Sequence, residues 1–307
     1  MIKVRDTIAA SFRGLPRFRG KGPLGVLLGQ VLKYIGNSEE YITTISMRDG
    51  SLIQVDVRSR TEQWAYWTGE YDADIVQKLA GCLVPGSVVL DVGANIGFYS
   101  IPLGRKLKSL GGRLYAFEPV QNNFDHLVQS ISLNNLEDTV FAHPVALGNE
   151  EGFVEMTMEK TNGSNTGNAV MLKGDVASNL GENSKVRLTT LDSFVTKNLV
   201  NSCQLIKIDI EGAEFMFFSG GLNFILKHRP IVYGEFNAYW MEKFGHSLLD
   251  VIGYFLPLNY RFFQQARNKR FIEVKELKMG MENILLVPSD VPSSIWSALQ
   301  VGVDSSL

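Results

Sequence analysis

A buried apolar strand that ends on an aspartate and runs into closely spaced glycines can lay a ligand against its backbone. The run VVLDVGANIGFYS (88–100) has this form: Asp91 closes the strand, Gly93 and Gly97 shape the turn, and Ala94, Asn95 and Phe98 complete it. Glycine permits backbone angles and close approaches that a Cβ forbids. A helix opening after the turn offers N–H groups that lack helical partners. A nucleoside cofactor is the ligand class suited to such a turn. A dinucleotide fingerprint requires glycine where Asn95 and Phe98 stand. Phe98 restricts the approach of a pyrophosphate, whereas a sulfonium amino acid carries no phosphate and tolerates the bulk.

Twenty-one residues beyond Gly97, Glu118 closes the run RLYAFE and is followed by Pro119. A carboxylate at the carboxyl end of the second strand can accept hydrogen bonds from both hydroxyls of a ribose. The plainer alternative is that Glu118 caps the strand or the next helix. A third run, LIKIDIEGAE (205–214), sets Lys207, Asp209 and Glu211 among Ile206, Ile208 and Ile210. Three ionisable side chains in an otherwise apolar strand are costly to bury unpaired. Either Lys207 pairs locally with the carboxylates, or Asp209 and Glu211 emerge at the sheet end shared with Gly93 and Glu118, where open α/β sheets bind ligands.

The four histidines offer few general bases. His126 falls off the apolar stripe of its helix and is expected in solvent. His228, between Lys227 and Arg229, reads as a helix C-terminal charge. His143 lies in a strand containing Pro144. His246 precedes Ser247 and Asp250, which have the spacing of a capping box, and it is placed to overhang the site. Glu235 and Asn237, just after the fifth strand, are reserve candidates. No His-carboxylate cluster has metal-ligand spacing, so no metal is expected.

The elements that must position these residues alternate. Ile42 to Val57 is broken by Asp49-Gly50 and reads as a hairpin. DADIVQKLAGCLV places Ile75, Val76, Leu79, Cys82 and Leu83 at helical spacing before Pro85-Gly86. SVVLDV, RLYAFE and VFAHPVAL follow as strands, separated by a helix from about Phe98 and one with Phe124, Leu127, Val128 and Ile131 on its apolar stripe. Such alternation implies a parallel sheet with right-handed crossovers. Pro144 cannot donate to a ladder, so VFAHPVAL is expected at the sheet edge. Between 152 and 190 the texture changes to an inserted hairpin, with a Gly-, Asn- and Ser-rich loop at 161–183 expected to order on acceptor binding. QLIKIDI, a helical region to Lys227, IVYGEF, a helix across SLLDVIGYFL, YRFFQ and NILLV complete the chain. The reading is an extension, 1–70, and a main domain, 71–307.

With 307 residues, 45% of them hydrophobic, the chain can bury a substantial core. Its formal charge of −2 gives no global field for nucleic acid. Cys82 and Cys203 read as small buried residues of a reducing compartment, and no stretch approaches the roughly 20 apolar residues that span a bilayer. The chain therefore reads as soluble and cytoplasmic. The first 33 residues carry Lys3, Arg5, Arg13, Arg17, Arg19, Lys21 and Lys33 against Asp6 alone. Such a segment either contacts an anionic membrane surface weakly or packs on the domain as a solvated extension.

From about Trp67 to Val287 the chain resembles the FkbM family of S-adenosylmethionine-dependent methyltransferases, through WTGEYD, VVLDVGANIGFYS, AFEPVQNNF, ALGNEEG, TTLDSF and IKIDIEGAE. The resemblance implies a class I, Rossmann-like α/β fold with a seven-stranded, mostly parallel sheet of order 3-2-1-4-5-7-6. It implies S-adenosyl-L-methionine as cofactor, with Asp91, Gly93, Ala94, Asn95, Gly97, Phe98, Glu118, Pro119, Ala146 and Asp209 as its binding set. It also implies methyl transfer to a hydroxyl oxygen of a sugar, a glycan or a secondary metabolite. Asp209 is then expected beside the acceptor hydroxyl, with Glu211 orienting neighbouring groups and Lys207 balancing charge; His246 and Glu235 complete the catalytic candidates. The competing readings are a nicotinamide-dependent oxidoreductase on a similar sheet and a cofactor-binding module without turnover.

Overall fold

Strands covered on both faces and helices with one apolar stripe leave a doubly wound sheet as the economical arrangement. A computed structural model describes residues 4–35, 41–159, 169–171, 181–266, 268–275 and 283–301. The chain begins with α1 (Val4–Gly14), α2 (Lys21–Ile35), a hairpin of β1 (Ile42–Ser46) and β2 (Leu52–Asp56), and α3 (Arg60–Thr68). The α/β alternation follows as α4 (Ala73–Gly81), β3 (Val88–Val92), α5 (Ser100–Leu110), β4 (Arg113–Phe117), α6 (Gln121–Leu133) and β5 (Val140–His143). An inserted region holds β6 (Ala146–Gly148), β7 (Gly152–Glu159), β8 (Ala169–Met171) and β9 (Gly181–Thr190). The alternation resumes with α7 (Leu191–Lys197), β10 (Leu205–Ile208), α8 (Glu214–Gly220), α9 (Leu222–His228), β11 (Ile231–Glu235), α10 (Ala238–Lys243) and α11 (Leu248–Phe255). It closes with β12 (Tyr260–Gln265), β13 (Phe271–Glu273), β14 (Asn283–Pro288) and α12 (Ser293–Leu299).

The main sheet has the order β13-β12-β14-β11-β10-β3-β4-β5. The five strands from β11 to β5 pair in parallel, while β14 runs antiparallel to both β11 and β12. Counted along the α/β unit, this is 3-2-1-4-5-7-6 with one strand more than expected, because the chain after β12 folds back as β13. Alternation along the strands divides the core. Val89, Leu114 and Leu205 are buried on one face, and Leu90, Tyr115 and Ile206 on the other.

Pro144 breaks the expected strand VFAHPVAL in two. β5 ends at His143 on the sheet edge, and the chain continues as β6, which pairs in parallel with β9 of a second sheet. The region expected as a hairpin is accordingly a four-stranded sheet of order β6-β9-β7-β8, with β7 and β9 in register from Gly152↔Leu188 to Glu159↔Gly181. Most of the expected loop, 160–168 and 172–180, lies outside the described residues.

His126 is buried, not solvated, and Val128 is 43% exposed rather than part of the core stripe. The reason is a second contact face on α6. Ser130 Oγ accepts from Gln54 N–H at 3.1 Å, and the Asn134 side chain exchanges hydrogen bonds with both backbone groups of Leu52. The polar stripe 126-130-134 thus covers the edge of β2, where unpaired backbone groups would otherwise invite another strand.

Several of the described basic N-terminal residues are occupied within the fold. Arg13 Nη1 donates to Tyr66 O at 2.5 Å, Arg17 pairs with Glu70 at 2.7 Å, and Lys21 Nζ donates to Leu15 O at 2.6 Å. Among the described residues, no helix is long and apolar enough to cross a membrane.

Candidate functional site

The first glycine of the turn is fixed by its surroundings. Gly93 has φ +77°, and a Cβ there would lie 1.9 Å from the carbonyl oxygen of Asp209. Without one, Asp209 N–H reaches Val92 O at 3.0 Å and the ladder between β3 and β10 continues to the rim of the site. Gly97, at φ +101°, packs behind the turn, where a Cβ would approach Leu127 and Ile101. α5 begins only at Ser100, and the turn's N–H groups have protein partners. Those of Gly93 and Ala94 both meet Phe117 O at 3.0 Å, Asn95 N–H donates to Glu118 Oε2 at 2.8 Å, and Ile96 N–H is taken by Asn95 Oδ1. The turn is therefore held by β4 and its carboxylate instead of presenting open donors to an anion.

Glu118 is 5% exposed and accepts from Val120 N–H through its other oxygen, Oε1, at 2.9 Å. Burial outweighs these bonds and pushes its carboxyl up to about 7. Asn123, in the first turn of α6, is near enough to lower the Glu118 carboxyl slightly against that burial, and its Oδ1 is buried with no hydrogen-bond partner among the described residues.

Under the turn lies a charged group shared by neighbouring strands. Asp91 is fully buried, with Oδ2 accepting from Ser100 Oγ at 2.6 Å. Lys207 Nζ donates to Gly93 O at 3.0 Å and stands 3.6 Å from Asp91 Oδ1 and 3.7 Å from Asp209 Oδ2. Burial opposes the ammonium, but Asp209, Asp91 and Glu118 together outweigh it and hold Lys207 charged, above its ordinary value. β10 itself ends at Ile208, so Asp209 and Glu211 belong to the loop beyond it rather than to the buried strand.

That loop is shaped by Glu211 at φ +51° and Gly212 at φ +97°. Glu214 Oε1 accepts from Gly212 N–H at 3.2 Å and Ile210 N–H at 3.4 Å, closing the loop from inside. Burial raises Glu214 to about 8; burial and then the Asp209 and Glu235 charges raise Glu211 to about 7.

These pieces line one cleft that opens to solvent. Of the candidate residues, Gly93, Ala94, Asn95, Phe98, Glu118, Pro119, Ala146, Lys207, Asp209 and Glu211 all line it. Asp91 and Gly97 support it from behind. Glu235 lies near enough for its charge to raise both Glu211 and Tyr71. Asn237 caps α10 by accepting from Trp240 N–H at 3.3 Å. His246 is not in the lining; its ring stacks on Phe215 at 3.8 Å between centroids, because the capping box of Ser247 and Asp250 starts α11 immediately after it. Among the described residues, no group of three or more His, Cys, Asp or Glu is placed to hold a metal ion.

Three lining residues carry no local mark in the sequence. Tyr71 comes from the segment before α4 and stacks on Phe98 at 4.3 Å and 9°, and the next residue, Asp72, is bonded to Tyr99 Oη and Lys269 Nζ. Asn123 is one of several polar residues in the first turn of α6, and Met156 arrives from β7. The available signals were WTGEYD for Tyr71 and AFEPVQNNF for Asn123, which mark the segments without marking a role.

Several solved structures resemble the chain. The methyltransferase FkbM from Methylobacillus flagellatus KT has 18% identity and a TM-score of 0.44, covering 66% of this chain, which spans 44% of that one. M. jannaschii TYW2 in complex with AdoMet has 12% identity and a TM-score of 0.41, covering 82% and 86% of the two chains. An rRNA methylase from Streptococcus thermophilus has 10% identity and a TM-score of 0.39, covering 69% and 92%. No curated protein matches. The methyltransferase FkbM domain matches residues 91–262, more than half the chain and the whole run from the glycine turn through β11, and the chain belongs to that family.

Proposed function

We propose that the cleft binds S-adenosyl-L-methionine and that the protein transfers its methyl group to a hydroxyl oxygen of a sugar, a glycan or a similar hydroxylated metabolite. The observation that carries this reading is the charge of the cleft. Its described lining holds three carboxylates, Glu118, Asp209 and Glu211, against the single ammonium of Lys207, which Asp91 and Asp209 already share. Such a lining favours a ligand bearing cationic sulfonium and amino groups and disfavours the pyrophosphate of a dinucleotide. The stacked pair of Phe98 and Tyr71 over the turn points the same way.

The residues present fit this cofactor: Gly93, Ala94 and Asn95 bring backbone to the cleft wall, and Glu118 accepts one backbone N–H on each oxygen and keeps a further lone pair on each for a ribose. When bound, the cofactor supplies an electrophilic methyl group. Asp209 then orients the acceptor hydroxyl and supports its proton as the oxygen attacks, while Lys207 keeps the carboxylate in place. Glu211 and Glu235 set the field around it. In this reading residues 1–70 are an accessory extension to the methyltransferase unit, 71–307, and the inserted sheet helps wall the cleft through Met156.

The test is transfer of an isotope-labelled methyl group from S-adenosylmethionine to a panel of sugars, glycolipids and polyketides, read by mass spectrometry. Binding without transfer to any acceptor would favour a module without turnover. Glu118→Ala should weaken cofactor binding by about 1.5–3 kcal/mol. Unchanged affinity in a folded variant would sink the assignment.

A further inference from the structure

We infer that a groove beside the cleft, lined by Arg17, Trp64, Glu70 and Asp74, holds a neutral sugar unit of the acceptor and leads it past Tyr71 toward the cleft. The inference rests on the methyltransferase reading above and names the part of the acceptor that the protein selects. Tyr71 borders both spaces, so groove and cleft share a wall. Its ring is fixed by the stack on Phe98 at 4.3 Å, and the next residue, Asp72, accepts from Tyr99 Oη at 3.1 Å. Apart from Tyr71, the described cleft lining falls within the residues that match the family domain, 91–262, whereas every described lining residue of the groove falls outside them. Arg17 comes from the turn between α1 and α2, Trp64 from α3, Glu70 to Asp74 from the start of α4 and the segment before it, and Lys269 from the turn between β12 and β13. The parts of the chain added to the domain thus build the groove, which is where acceptor choice can vary while the cleft stays the same.

The chemistry of the groove points to a neutral sugar. Trp64 is 44% exposed, yet its ring is held in place: a Cβ at Gly22 of α2 would fall 2.1 Å from it, so the helix backbone packs directly on the indole. An indole backed by α2 and bordering the groove is a fixed apolar platform. Around it the charges are already matched. Arg17 donates to Glu70 Oε1 at 2.7 Å and to Asp74 Oδ1 at 3.4 Å, Arg48 stands 2.8 Å from Glu70, and Lys269 Nζ donates to Asp72 Oδ1 at 2.8 Å. Both lining cations are therefore committed, and neither is spare to draw in a phosphate or a sugar acid. Each carboxylate keeps lone pairs for hydroxyl donors. A neutral pyranose answers to both features, with its C–H face on the indole and its hydroxyls, which donate and accept, on the paired side chains.

The experiment titrates the full chain, with and without S-adenosylhomocysteine, with methyl glycosides of glucose, galactose, mannose and rhamnose, with maltose and lactose, and with the acidic methyl glucuronide and glucose 6-phosphate. Tryptophan fluorescence and the NMR signals of the saccharides report binding. At least one neutral saccharide should bind, and the acidic pair should bind about threefold or more weakly than methyl glucoside. Trp64→Ala should weaken the best neutral ligand about tenfold and leave S-adenosylhomocysteine within about twofold of wild type, because Trp64 is outside the described cleft lining. Asp74→Ala, a change at a well-exposed side chain, gives a second comparison if the Trp64 variant does not fold, with an expected loss of about threefold. No binding of any neutral saccharide, equal or tighter binding of the acidic pair, or unchanged saccharide affinity in the variants would overturn the groove assignment alone. No binding of S-adenosylhomocysteine to wild type would overturn the cofactor reading and this inference with it.

Discussion

Lys207 and Asp91 stand directly opposite one another on adjacent parallel strands, the ammonium 3.6 Å from Oδ1 and both side chains withdrawn from solvent. A buried pair of this kind adds little over an apolar pair, but removing one member strands the other. Lys207→Met should therefore destabilise the protein by about 3–5 kcal/mol in denaturant unfolding. The double variant Lys207→Met with Asp91→Asn should recover much of that loss. A single variant as stable as wild type would show that Asp91 does not depend on Lys207.

Asp209 borders the same ammonium from the open side of the cleft, with its side chain 34% exposed. Asp209→Asn keeps the shape and removes the charge, so turnover at saturating acceptor and cofactor should fall by about 10²- to 10⁴-fold, far more than the accompanying loss of cofactor affinity. A fully active variant would remove Asp209 from the chemistry and direct attention to Glu235 and Glu211.

Gly93→Ala tests the turn. The left-handed backbone at φ +77° and the contact with Asp209 O both oppose a methyl group there. The variant should lose about 1–3 kcal/mol of stability or more, and S-adenosylhomocysteine should bind more weakly because Asp209 and the turn are pushed apart. Thermal unfolding and calorimetry read the two effects separately.

Burial raises Glu118 and Glu211 to about 7 and Glu214 to about 8, against an unfolded value of roughly 4.3. For raised carboxyls the folded state binds protons more tightly than the unfolded one. The stability they contribute is complete below about pH 4.3 and is lost as pH rises through 7 to 8. The cofactor-free protein should accordingly melt at a lower temperature at pH 9 than the remaining titrations alone would give. Glu214→Gln removes one contributor, so the variant should gain on wild type as pH rises from 6 to 9. A constant difference across that range would place the Glu214 titration elsewhere.

What was legible in the sequence was local. The positive-φ glycines of the turn, the carboxylate ending β4, the charged residues after β10 and the capping box before α11 each depend on a few consecutive residues, whose backbone angles and strand ends follow from residue type. The alternation of strands and helices dictated a parallel sheet because a strand buried on both faces needs helices over it. Pro144 marked an edge, since it has no N–H to donate, although the sequence did not reveal that the chain would leave that edge for a second sheet.

Only the tertiary structure decided which distant groups meet. The register of β3 against β10 set Asp91 beside Lys207, and packing of the segment before α4 brought Tyr71 onto Phe98. The docking of β2 on α6 buried His126, and the capping of α11 turned His246 onto Phe215 and out of the cleft lining. Asn123 looked like any polar residue in a first helical turn until the fold set it near Glu118, its oxygen unmet among the described residues. Periodicity and turn residues report how a segment bends and which face it buries, whereas the partner of a buried polar group is fixed by pairings across tens or hundreds of residues, which no short-range pattern encodes.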